Sequence, residues 1–571
     1  MLKKIAHIVV GLPVEGVFDY TLPEEYRDQA EPGMRVLVSF ARTKRVGVIV
    51  SFSSRSSIAR LNPVLALLDE SPVFSPGLIR FAEVFALRFG CSLGEAFLQF
   101  LPPYLREPKK LIASPDETAP VPVVPVSPEP AVQAGPTEEV PYVPANCKVE
   151  LIFDRGLNRR WEVLRPLISA TLAAGKGVIC VVPDATLRAA ILPVLRELAE
   201  PVVLSEGTDK EEFLHWCALR DGRARMAVGF ISAVLTPVRD LGLVVIFEEE
   251  SPFYKNDQSP FYQARDAALL RAKVEDCRVA LVTSAPSLEA WHEVEAGRAE
   301  LKLLEDQLAP VKFLDLTNFK IRKDTFLSLA LRHHMEWAAK ENRKVLLYIQ
   351  AARGVAGVVE EMREQFPYAR IAGYDKSSSA FPAEAGVVVA TQVIFRHRYR
   401  ARFDIAVVLD VDWEFHKADY QAAHGVFALT QHLRQMTKEF VLLQTRHMEN
   451  ELLHFLADDD IRKFYNKELG LRHEMGFPPF SYMVALVVRS GDPQLAEDEA
   501  KRLYDILLAG KPDSVDLHEP HQDRSAIVRG KFRWCVMAQG KSLKTVMGWV
   551  REVKRSFRGK KDTVVTVNVN P

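Results

Sequence analysis

The run Leu243-Val244-Val245-Ile246-Phe247-Glu248-Glu249-Glu250 constrains this chain more than any other feature. A short, continuous apolar run reads as a strand buried on both faces, and this one ends in a cluster of acids. Similar runs recur at 177–182, 278–283, 344–349, 386–390 and 405–409, separated from residue 148 onward by amphipathic stretches of helix length. Such alternation predicts parallel sheets covered by helices, and the length suits two α/β lobes. In ATP-hydrolysing proteins of this build, the acidic strand end presents a metal-binding carboxylate. Here the first position, where Asp belongs, is Phe247.

The segment that would hold phosphates has changed in a matching way. A phosphate-binding loop needs glycines so that backbone N–H groups can approach the phosphates, a Lys as a mobile charge, and a hydroxyl for magnesium. The segment before the first lobe's helix reads Leu151-Ile152-Phe153-Asp154-Arg155-Gly156-Leu157-Asn158-Arg159-Arg160-Trp161. Only Gly156 is permissive, Arg160 stands where Lys would, and Trp161 stands where Ser or Thr would. An Arg can pair with phosphate, but a Trp cannot ligate magnesium. Glu248 and Glu249 remain in the acidic cluster, although negative charge after a strand is also an ordinary helix start. Arg160, Trp161, Phe247, Glu248 and Glu249 are therefore the degenerate positions of a motor, and no catalytic residue is assigned.

The rest of the chain bounds the reading. Its 571 residues suit roughly four domains with sizeable cores, and the formal net charge of +0 means that any nucleic-acid role rests on local patches. No apolar run reaches membrane-spanning length, so no membrane role is expected. The six cysteines are scattered singly, without the paired spacing of structural zinc, which predicts no metal. Residues 1–110 read as a small β-rich module followed by helix from 76 to 106. Residues 111–145 form a Pro-rich linker, 146–305 and 306–460 the two lobes, and 461–571 an α+β C-terminal domain.

At this level the residues resemble a family, that of the primosomal replication-restart protein PriA, a superfamily 2 DNA helicase. Val17-Phe18-Asp19-Tyr20, Pro32-Gly33-Met34-Arg35-Val36 and Leu93-Gly94-Glu95 are similar to its N-terminal domain, which caps the 3′ end of a nascent strand. Ala174-Gly175-Lys176, Tyr262-Gln263-Ala264-Arg265-Asp266, Ala390-Thr391-Gln392 and Leu409-Asp410-Val411-Asp412 match the motor in order and spacing, as does Ala418-Asp419-Tyr420. Gly476-Phe477-Pro478-Pro479-Phe480 and Arg533-Trp534 match the C-terminal domain. The implied fold is a multidomain α/β protein: a small β-rich N-terminal DNA-binding domain, two RecA-like helicase lobes and the α+β C-terminal domain.

The departures are equally informative. Thr283-Ser284-Ala285 replaces the family's Ser-Ala-Thr, Gly229-Phe230-Ile231 replaces Gly-Thr-Arg, and the arginine-bearing motif that touches ATP has become Gln431-His432-Leu433-Arg434-Gln435-Met436. The family's cysteine-rich zinc module, expected after Arg353-Gly354, is missing, and the linker stands in place of its winged-helix domain. The resemblance thus implies no zinc and doubtful binding of ATP and Mg.

Candidate DNA contacts fall in three places. By resemblance, Asp19 reads the terminal nucleotide of a 3′ end, with Arg35, Lys44 and Arg45 on adjacent phosphates and Gly33 and Gly47 permitting close approach; as a plain residue, Asp19 is a turn between strands. Arg396, Arg398 and Arg400 lie where the family has a loop near DNA, or form a solvated face. Arg533, Trp534, Lys554, Arg555, Arg558, Lys560 and Lys561 combine basic charge with an aromatic ring, as base-stacking surfaces do, or Trp534 is core and the charges solubilise. The reading is a helicase-dead, PriA-like protein that binds branched or 3′-ended DNA in the bacterial cytoplasm, at the nucleoid, with replication-restart or helicase-loading partners. The alternatives are an active ATP-dependent helicase with an altered site, and an interaction scaffold without DNA binding.

Overall fold

The computed structural model describes residues 4–109, 148–317, 327–350, 354–415 and 420–571. The Pro-rich linker, Cys147, Arg353 and Ala418-Asp419 lie outside the described residues. Four sheets account for the strands among the rest.

The N-terminal sheet is antiparallel, built from β1 (Ile5–Val10), β2 (Phe18–Thr21), β3 (Arg35–Phe40), β4 (Thr43–Ser53) and β5 (Val64–Leu67) in the order β2-β1-β4-β3-β5. Alternation along β1 sends Ala6, Ile8 and Val10 into one core with Val36, Val38 and Ile49, while Val9 faces the helices Pro76–Phe89 and Leu93–Phe100. Ser92 and Glu95 form a reciprocal capping box at the start of the second helix. Gly90 ends the first at φ 66°, and a Cβ there would lie 2.7 Å from Val567 and 2.9 Å from Met547. That turn needs glycine both for its backbone and for the close approach of the C-terminal domain.

The first lobe is a seven-stranded sheet of β6 (Val149–Asp154), β7 (Gly177–Val181), β8 (Val202–Val203), β9 (Met226–Gly229), β10 (Leu241–Phe247), β11 (Arg278–Thr283) and β12 (Glu300–Leu304). All its pairings are parallel, in the order β12-β6-β11-β10-β7-β9-β8. The second lobe repeats the plan with β13 (Val311–Asp315), β14 (Val345–Tyr348), β15 (Ile371–Tyr374), β16 (Val387–Ala390), β17 (Phe403–Val408) and β18 (Thr437–Thr445), also wholly parallel. Every apolar run that sequence alternation marked becomes one of these strands, because a parallel strand covered on both faces must be apolar throughout.

The C-terminal sheet is antiparallel: β19 (Tyr482–Ser490), β20 (Val515–Leu517), β21 (His521–Val528), β22 (Lys531–Gly540) and β23 (Val564–Val569). It packs on helices Pro493–Ala509 and Leu543–Ser556. The helix Ile461–Met475, expected to open the C-terminal region, instead sits among the lobes. Phe464 stacks on Phe427 at 4.3 Å and Tyr465 on Trp291 at 4.4 Å, so its apolar face belongs to the core that spans both lobes and the N-terminal helices. Arg88 of the N-terminal domain pairs with Asp266 at 2.5 Å, and buried Lys255 donates to the carbonyls of Val569 (2.7 Å) and Asn570 (3.1 Å). No helix among the described residues is long and apolar enough to cross a membrane.

Candidate functional site

The lobes meet where β6 ends in Asp154 and a short loop leads into the helix Arg160–Ala173. A helix start after a strand offers unpaired backbone N–H groups, which in phosphate-binding proteins take the phosphates. Here the Asp154 carboxylate takes them, accepting from the N–H of Arg159 at 3.1 Å and of Arg160 at 2.9 Å. The chain's own acid fills the position of an anionic ligand. Bulk closes the remaining space: Trp161 packs against Phe247 with ring centroids 5.9 Å apart.

The guanidinium of Arg160 is engaged by the protein itself through Nε and one Nη. The residue is 1% exposed, and it donates to Asp154 at 3.3 Å, to Glu248 at 3.1 Å and to the Tyr399 hydroxyl at 3.2 Å. Glu248 also receives Arg398 and the Tyr399 hydroxyl, both from the second lobe. Glu248 sits at φ 54°, a left-handed conformation that a non-glycine residue holds only when its surroundings fix it. Burial pushes Glu248 up and Arg398 down to about 9, while Arg160 draws Glu248 back toward ionisation. The result is a buried ionic cluster across the interlobe seam.

The three glutamates after β10 part in three directions. Glu249 is fully buried and binds Arg265 at 2.8 Å and the Ser287 N–H at 2.6 Å, entirely within the first lobe. Glu250 accepts from Thr283 at 2.7 Å and lies 3.2 Å from His432 of the second lobe. Burial first, and then Glu248 and Glu249, push Glu250 well up, while burial pushes His432 well down. One ligand atom each from Glu248, Glu250 and His432 lies within 4.8 Å of the others, a spacing that could hold a metal ion. Arg160 and Arg398 already supply the positive charge at Glu248, so we assign no metal there.

The seam continues beyond this cluster. Arg155 and Arg434 converge on Asp459, at 2.7 and 2.5 Å, and Gln435 donates to the Arg155 carbonyl at 2.7 Å. His424 and the Tyr465 hydroxyl meet the Pro286 carbonyl at 2.7 and 2.5 Å. Burial holds His424 down at about 4. A base whose folded value is depressed leaves stability intact above its ordinary value near 6.5 and loses it as pH falls toward 4. Thermal melts should therefore show the parent chain losing about 3 kcal/mol between pH 6.5 and 4 relative to His424→Gln, which still donates to Pro286 but cannot titrate. Parallel pH profiles of the two proteins would contradict this.

The DNA candidates divide sharply. Asp19 keeps a side chain 17% exposed, with His7 Nδ1 at 2.7 Å and the Ser56 hydroxyl at 2.5 Å. Ser56 first, and His7 with it, hold its carboxyl below the usual range despite some burial. Lys44, Arg45, Arg396, Arg400, Arg555, Arg558, Lys560 and Lys561 are exposed, and Lys554 is half-buried. Arg35 requires correction: it is 0% exposed, paired with Asp69 and donating to the Leu105 carbonyl at 2.7 Å. It locks the N-terminal sheet to the segment after its helices and reaches no phosphate. Arg398 likewise belongs to the interlobe cluster and not to a DNA-facing loop.

Gly33 and Gly47 make close approaches, but to their own chain. A Cβ at Gly33 would run into the Phe74 carbonyl, and one at Gly47 would lie 2.5 Å from Ile8. Arg533 pairs with Asp523 at 2.6 Å, and Trp534 packs against the C-terminal core, which is the second of the two roles open to it. Sequence reasoning missed Asp154, Tyr399, His432 and Asp459. An acid closing a buried strand was the available signal for Asp154; the others become partners only across the seam.

Two parallel-sheet lobes joined along such a seam, with a β-rich module before them and an α+β domain after, define a helicase-like architecture. Residues 7–102 match the family described as the PriA 3′DNA-binding domain. The chain is 22% identical to replication restart protein PriA of Treponema pallidum, covering 99% of this chain and 98% of that protein. It is 22% identical to the same protein of Rickettsia conorii, covering 94% of each, and 21% identical to that of Haemophilus influenzae, covering 100% and 99%. Over nearly its whole length the chain is thus similar to replication restart protein PriA, and residues 7–102 match that family's 3′DNA-binding domain.

Proposed function

We propose that this protein binds 3′-ended or branched DNA as a replication-restart platform and does not turn over ATP. The observation that carries the reading is the closed seam: Asp154 occupies the phosphate-facing N–H groups, while Arg160, Glu248, Arg398 and Tyr399 join the lobes where a nucleotide would sit. The match of residues 7–102 supports the 3′-end function, and a cytoplasmic place beside the nucleoid with restart or helicase-loading partners follows from it. A metal-free, zinc-free protein is part of the same proposal.

Titration against forked DNA tests the binding half. A fork with a free 3′-hydroxyl at its junction should bind better than one with a 3′-phosphate, because the Asp19 carboxylate retains acceptor capacity but repels the added charge. Asp19→Ala should abolish the preference and leave non-specific affinity unchanged. Equal affinity of the parent chain for the two forks would contradict the reading. Neutralising Lys554, Arg555, Arg558, Lys560 and Lys561 should weaken all DNA substrates alike and flatten the salt dependence by roughly one unit per lost contact.

A further inference from the structure

Near Asp19, on the face of the N-terminal sheet toward the helices, lies a cavity of about 250 Å³ between β1, β4 and the helix Leu93–Phe100. Val9, Val48, Phe97, Leu98 and Leu101 supply its apolar wall, and Arg45 and Arg106 stand among its lining residues. Among the described residues no carboxylate lines it. The Nε of Arg45 is held by Thr43 at 3.2 Å and that of Arg106 by the Leu101 carbonyl at 3.0 Å, which leaves the Nη donors of both for an anion. An apolar slot with two guanidinium groups among its lining residues suits a ligand that joins a flat apolar face to a negative charge. A nucleotide has that chemistry.

Its position gives the register. His7 is the cross-strand partner of Asp19, and Val9, the cavity's first wall residue, lies two positions further along β1 on the same face. Two residues of strand span roughly 7 Å, the step between neighbouring nucleotides of a stretched single strand.

Resting on the 3′-end reading of Asp19, we propose that this cavity receives the base of the nucleotide next to the 3′-terminal one, with Arg45 and Arg106 on its flanking phosphates. The N-terminal domain then reads two successive nucleotides. The slot, lacking side chains that discriminate base edges, accepts any base.

The test is an abasic scan of a 3′-ended strand with the full-length chain, read by fluorescence anisotropy. Removing the base at the second position from the 3′ end should weaken binding about tenfold, while removal at the fifth position should have no effect. Leu98→Trp, which fills the slot, should bind intact DNA as weakly as the parent binds the abasic strand and should lose sensitivity to the lesion. Arg45→Ala with Arg106→Ala should lower affinity and the salt slope together. Unchanged melting of each variant separates lost binding from lost folding. A flat scan alongside an intact 3′-hydroxyl preference overturns the cavity assignment and leaves the 3′-end reading standing. A Leu98-dependent abasic effect without any 3′-hydroxyl preference does the reverse, and absence of DNA binding overturns both.

Discussion

Arg398→Ala is expected to destabilise the protein by about 3–5 kcal/mol, measured as a lowered denaturation midpoint. The substitution removes one of two guanidinium groups that compensate the buried Glu248, and breaking a buried pair costs far more than the pair contributes, because an uncompensated charge stays behind. Removing the charges together should cost much less. Arg398→Met combined with Glu248→Gln keeps volume and leaves no stranded carboxylate, so it should recover most of the loss, provided Arg160 retains Asp154. The effect should also show as separation of the lobes, since Arg398 and Tyr399 approach from one lobe and Arg160 and Glu248 from the other. An Arg398→Ala protein within about 1 kcal/mol of the parent would mean that the cluster is solvated and the seam open.

ATP turnover should remain at the no-protein background, with or without forked DNA. Phosphoryl transfer depends almost wholly on positioning and on charge stabilisation by a metal and a backbone cradle, and on the proposed reading each is displaced. Phe247 stands for the metal-binding acid, Trp161 for the magnesium hydroxyl, and Asp154 holds the cradle's N–H groups. Nucleotide should also fail to raise the melting temperature at millimolar concentration, since a ligand that binds only the folded state stabilises it by mass action. DNA-stimulated phosphate release above background would overturn the proposal and favour the active-helicase alternative.

The two experiments are linked through the same residues. In a working motor, nucleotide draws two lobes together and hydrolysis lets them part. Here ionic contacts occupy that seam: Glu248 with Arg160 and Arg398, and Asp459 with Arg155 and Arg434. On the proposed reading, losing hydrolysis and gaining a fixed lobe arrangement are one structural event.

The sequence by itself determined the two parallel sheets, the β-rich N-terminal module and the departures in the phosphate-loop segment, because each depends on local chemistry. An apolar run of strand length can only be covered on both faces, and a Trp cannot ligate magnesium wherever it is placed. It also marked Arg160, Trp161 and Phe247 as altered. Only the tertiary structure decided what fills that site. Arg35 and Arg398 looked like phosphate ligands because a charge's partner cannot be read from its neighbours in sequence; Asp69 lies 34 positions from the first and Glu248 150 positions from the second. Likewise, three consecutive glutamates look alike in a string. The turn after β10 sends Glu248 into the ionic cluster, Glu249 into the first lobe and Glu250 onto His432, because side-chain direction is set by backbone conformation, and each direction meets a different wall.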